Sequence, residues 1–142
     1  MLNRRKNNRT DDNGKTHVWI FNHYAISPDL AGGTRHYSLA RELVNMGFEV
    51  TIFASNVSHA EKRAVRLQNG GFWSIESING VKFIWLKSFL YSSNNWRRVL
   101  NVLSYFFMAL LKGVNCSKDL HKPDVVIGSS VHLLAVFAGR LL

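Results

Sequence analysis

Gly32-Gly33-Thr34-Arg35 combines residue types and spacing that suit a phosphate group. Glycine lets a ligand come close to the backbone, and a helix start offers N–H groups and partial positive charge. Arg35, in the first turn, opposes the helix dipole by about 0.3–1 kcal/mol unless an anion offsets it. Two readings stay open: a phosphate seat, or a tight turn with Arg35 in solvent. Other polar residues that could meet a ligand end apolar runs: Asn22-His23, Ser55-Asn56 and Gly128-Ser129-Ser130. In an open α/β sheet, ligands bind beyond the carboxyl ends of the strands, where these residues would stand.

Several chemistries are disfavoured. There is no G-x-G-x-x-G motif, and Ala54-Ser55-Asn56 lacks the acidic residue that would hold a dinucleotide ribose. No Walker-type loop is present. The six histidines show no metal-ligand spacing with carboxylates. Cys116 is the single cysteine, which rules out an intrachain disulfide and argues for a small reduced thiol. No nucleophile–base pair is evident, so no catalytic residue, cofactor or metal is assigned.

The elements that would position these residues can be read from periodicity. His17 to Asn22 and Val50 to Ala54 are short apolar runs of the kind found in buried parallel strands. Between them the spacing predicts a helix from Thr34 to Met46, with Tyr37, Ala40, Leu43 and Val44 on one face. Thr34 is its expected N-cap, Gly47 its C′ residue, and Phe48 the apolar contact beyond. Val57 to Leu67 is basic and reads as helix or loop. Asn79-Gly80, between Phe72–Ile78 and Val81–Leu86, is a strong hairpin signal because both turn positions need positive φ. A long helix from Trp96 to Lys112, a buried strand over Pro123 to Gly128 and a helix from Val131 complete the order. The whole predicts a doubly wound, Rossmann-like α/β domain with an inserted hairpin. The final helix meets Leu142 without a cap or a following strand, so a truncated, marginally stable and aggregation-prone domain is expected.

Charge narrows the partners. The formal net charge is +9, from 18 basic and 9 acidic residues, which favours anionic partners. Arg4, Arg5, Lys6, Arg9 and Lys15 crowd residues 1–16, a leader expected to be disordered and solvated, with attraction to a membrane surface or nucleic acid as the other option. It has no apolar h-region, so it does not read as a secretory signal. The longest apolar stretch, Val99 to Leu111, is about thirteen residues, short of the roughly twenty that span a bilayer. The Trp96 helix is apolar nearly all round, and Trp96-Arg97-Arg98 resembles an interfacial anchor. Burial against the sheet is the favoured reading, and partial membrane contact is the alternative.

His23-Tyr24, Pro28, Gly32-Gly33-Thr34-Arg35, Leu39-Ala40, Leu43 and Gly47 to Thr51 resemble the opening of the family-four retaining glycosyltransferases. A closer likeness is to bacterial fucosamine-type transferases of surface-polysaccharide assembly. It runs through Asn79-Gly80, Trp85-Leu86, Tyr91, Asn94-Asn95, Arg97-Arg98 and Asn101 to Asp124 through Leu133. Phe48 stands where a His is common, and Val131 where a Pro is common.

The resemblance implies the amino-terminal, acceptor-side half of a GT-B fold over residues 17–142, without the carboxyl-terminal nucleotide-sugar domain and inactive alone. It implies that Gly32, Gly33 and Thr34 approach the donor diphosphate. Arg35, Tyr91, Arg97, Arg98, Ser129, Ser130 and His132 would then meet a lipid-linked sugar acceptor. The expected partners are a nucleotide-sugar donor, that acceptor and an anionic membrane surface, not nucleic acid. The expected place is cytoplasmic, peripheral to the inner face of the membrane. A non-enzymatic phosphate-binding module and a peripheral membrane or interaction protein are the competing expectations.

Overall fold

The computed structural model describes residues 14–30, 32–58, 63–64, 71–89, 96–115 and 120–129. In chain order the elements are β1 (His17–Phe21), α1 (Arg35–Asn45), β2 (Glu49–Ser55), β3 (Val57–Ser58), β4 (Arg63–Ala64), β5 (Trp73–Ile78), β6 (Val81–Leu86), α2 (Trp96–Val114) and β7 (Val125–Gly128). One sheet has five strands in the order β5-β6-β2-β1-β7. β1 is parallel to β2 and β7, β2 is parallel to β6, and β5 is antiparallel to β6. The chain is thus α/β with a mixed, mostly parallel sheet, consistent with a Rossmann-like arrangement.

The period of two along the strands sorts the core into two layers. Val18, Ile20, Val50, Ile52, Phe83 and Trp85 pack together with Tyr37 and Ala40 of α1. Trp19, Phe21, Phe53, Ile84 and Leu86 form the other cluster with Tyr105 and Ala109 of α2. Because β1 is buried on both faces, every one of its five residues is buried, histidine included. Its aromatic side fills with rings: Phe21 stacks on Phe53 at 4.4 Å, and Trp19 tilts against Phe53 at 5.0 Å.

Two local signals act as expected. Gly47, at φ +94°, ends α1, where its N–H donates to the Val44 carbonyl and the Phe48 N–H donates to Leu43, a Schellman pair. Asn79 and Gly80 both have positive φ, and the hairpin they turn pairs Trp73 through Ile78 with Leu86 through Val81.

Four expectations need correction. Thr34 occupies the N-cap position but makes no side-chain cap bond. Instead its carbonyl accepts both the N–H and the hydroxyl of Ser38. The basic stretch after β2 contains no helix among its described residues; β3 and β4 pair there as a short antiparallel ribbon. β7 is not a buried strand: among the described residues it pairs on one side only, with β1, and Val125 is 45% exposed. The Trp96 helix, read as buried, buries one side only. Asn101, Tyr105 and Ala109 face inward, while Val99 and Phe107 are exposed. The leader up to residue 13, Cys116 and the helix expected from Val131 lie outside the described residues.

Candidate functional site

The parallel strands in chain order are β1, β2, β6 and β7, and across the sheet they run β6-β2-β1-β7. The chain steps outward from β1 through β2 to β6, then returns to the far side of β1. That reversal creates a switch point between β1 and β7, beyond whose carboxyl ends such sheets take ligands. Ser129 stands there, its N–H donating to the Phe21 carbonyl at 2.9 Å. Asn22 stands beside it, immediately after β1.

Asn22 organises the loop that leads to α1. Its N–H donates to Phe53 and its carbonyl accepts from Ala25, both at 3.1 Å. The side-chain oxygen accepts the Tyr24 N–H at 3.0 Å, an Asx turn. The amide nitrogen lies 2.6 Å from Nδ1 of His36. An amide N–H can donate only to an unprotonated ring nitrogen, so the His36 proton belongs on Nε2. Desolvation first, and the neighbouring Arg35 charge second, hold the His36 pKa below its ordinary value. A neutral His36 therefore ties the first turn of α1 to the end of β1.

The glycine pair opens the other side of this loop. Gly32 adopts φ +139°, and a Cβ there would meet Cδ1 of Ile26 at 2.8 Å. Gly33 has nothing within 4 Å of where its Cβ would sit. The first turn of α1 carries no acidic residue, and Thr34 supplies no side-chain cap. Gly32, Gly33 and Arg35 are exposed, and the leading N–H groups of a helix are the ones that suit an anion.

A second polar cluster closes the ends of β2 and β6. The Ser55 and Ser88 hydroxyls are 2.5 Å apart, and the Val57 N–H donates to Ser55 Oγ at 3.0 Å. Asn56 Oδ1 accepts the Ser88 N–H, also at 3.0 Å. The Ser55 N–H reaches the His23 carbonyl at 3.2 Å, which joins this cluster to β1. His23 is buried between the rings of Tyr24 and Tyr105, stacked on each at about 4.7 and 4.6 Å. The Tyr105 hydroxyl donates to the Phe53 carbonyl, and burial pushes its pKa well above the usual phenol range.

Among the expected site residues, Gly32, Gly33, Thr34 and Arg35 are contiguous at the start of α1, and Ser129 stands at the switch point. Arg97 and Arg98 lie instead at the start of α2, which packs on the opposite face of the sheet from α1. Tyr91, Ser130 and His132 lie outside the described residues. Sequence reasoning missed His36 and Ser88. His36 looked like any helix-surface residue, and nothing local signals its pairing with an amide 14 residues earlier. Ser88 had a weak signal, as an early polar residue after the apolar run of β6. No cluster of three or more His, Cys, Asp or Glu is placed to hold a metal among the described residues. No helix among them is long and apolar enough to cross a membrane. A scan against protein-family models finds no match, and neither does a search of curated proteins.

Proposed function

We propose that this chain is the acceptor-side domain of a sugar-nucleotide-dependent glycosyltransferase of the GT-B kind. The observation that carries the reading is the open, uncapped start of α1 behind Gly32-Gly33, set beside the β1–β7 switch point. In this reading the Gly33 backbone and the first N–H groups of α1 stabilise a diphosphate, and Arg35 contributes charge. Placing positive groups where leaving-group charge develops is a principal means of lowering such barriers. Asn22 and neutral His36 hold the loop in position, and Ser129 stands at the switch point beyond β1. The acceptor is an anionic, lipid-linked sugar, which suits the +9 charge of the chain.

Binding, not turnover, is the direct test, because transfer also calls on a nucleotide-gripping domain facing this one. The purified chain is titrated with inorganic pyrophosphate and with a short polyprenyl diphosphate, and its thermal melt is followed. A ligand at about 100 times its Kd adds roughly 2.7 kcal/mol of stability. Both ligands should raise Tm, the polyprenyl diphosphate more at equal concentration. Gly33→Val and Arg35→Ala should lose the shift while remaining folded. Equal binding of the two ligands favours a phosphate-binding module without catalysis. No shift with either reduces Gly32-Gly33 to a turn.

A further inference from the structure

The outer side of α2 is apolar along its whole length. Trp96, Val99, Leu103, Phe107, Leu111 and Val114 recur at three- and four-residue spacing, and all are exposed. Residues so spaced lie on one helix face, so this is a continuous stripe and not scattered surface leucines. It continues across a cavity of about 490 Å³, where Phe107 faces Phe72 and Phe89. Those two rings are 62% and 60% exposed.

The fold holds Phe89 in that position. Its N–H donates to Ser104 Oγ at 3.1 Å, and its carbonyl accepts from the buried Asn101 amide. Ser104 in turn donates to the Asn101 carbonyl at 2.8 Å. Two side chains of α2 thus fix the backbone of a residue whose ring points into water.

Charge decides what covers such a face. α2 contains no carboxylate, and Arg97 at its start is exposed, whereas Lys112 near its end is buried with its ammonium 4.8 Å from the centre of the Trp73 ring. Lys87, on the cavity wall, places its ammonium 5.6 Å from the centre of the Phe72 ring. A second copy would bring another +9 body against the same face, whereas a surface of anionic headgroups is complementary. We infer that α2, with Phe72 and Phe89, docks in the plane of an anionic lipid bilayer. The stripe enters the acyl boundary, and Arg97 and Lys87 lie at headgroup level. This contact is independent of sugar transfer.

The test uses the full chain and vesicles of phosphatidylcholine mixed with phosphatidylglycerol, beside vesicles of phosphatidylcholine alone. Sedimentation should show preference for the mixed vesicles. Binding should weaken but persist in about 1 M salt, where the screening length falls to roughly 3 Å. The double variant Leu103→Ser with Phe107→Ser should lose about tenfold in partitioning for each side chain, with unchanged circular dichroism and melting. Failure to sediment with mixed vesicles overturns the inference. So does binding that vanishes in high salt and ignores the double variant, since charge alone then explains it. A dimer in light scattering that the double variant dissolves would assign the face to a second copy instead.

Discussion

Gly32 and Gly33 are neighbours in sequence, yet alanine should act on them with opposite sign. At Gly32, φ +139° lies where an L side chain is strained, at a cost of order 1–3 kcal/mol. The new Cβ would also sit 2.8 Å from Ile26 Cδ1, but that is the tip of a flexible side chain and can swing aside. Backbone strain is therefore the larger cost. At Gly33 the backbone is not in the left-handed region and the space is open. Alanine there removes freedom from the unfolded chain and should stabilise by about 0.4–1 kcal/mol. With a urea m-value near 2 kcal/mol/M, Gly32→Ala should lower the unfolding midpoint by about 0.5–1.5 M, while Gly33→Ala raises it by about 0.2–0.5 M. Urea unfolding followed by far-UV circular dichroism measures both. A neutral Gly32→Ala, or a Gly33→Ala as damaging as its neighbour, refutes the account of this loop.

His36 should make stability depend on pH. Its folded pKa lies below the ordinary 6.5, so the stability it contributes is whole above that value and is lost as pH falls through the folded pKa. His36→Gln should flatten the fall in stability as pH drops below 6.5, relative to wild type; parallel curves would remove the neutral histidine from the account. Tyr105→Phe should cost only about 0.5–1.5 kcal/mol, because the Phe53 carbonyl keeps the Asn22 N–H as a donor. A loss well beyond that in urea unfolding would give the hydroxyl a further role. Asn79→Ala should cost about 1–2 kcal/mol, since the turn position at φ +49° is strained for alanine and the bond to the Tyr37 hydroxyl is lost. A melt unchanged from wild type would contradict this.

Elements whose cause is local were legible in the sequence. The αL residue at Gly47, the Asn-Gly turn and the two-sided burial of β1 each follow from residue type over a few positions. What escaped depends on partners far apart in the chain. The two-stranded ribbon at Val57 sits in a basic stretch without apolar alternation, so no period distinguishes it from helix or loop. Thr34 is a good capping residue by type, but its backbone, at φ −88° and ψ 13°, is not in the extended conformation that aims the hydroxyl at the next turn. The burial expected of α2 followed from its mean hydropathy, which does not tell a helix covered on all sides from one that is apolar toward water. The glycine loop was legible as a candidate, whereas the Asn22–His36 bond and the Ser55–Asn56–Ser88 cluster exist only once the sheet is assembled.

The hairpin turn also has a mechanical consequence. Arg41 donates to the Asn79 carbonyl, and the Asn79 amide donates to the Tyr37 hydroxyl, so the middle of α1 is bolted to the β5–β6 turn. The helix also ends in a closed Schellman pair. It therefore behaves as a fixed strut, unable to swing without dragging the hairpin with it.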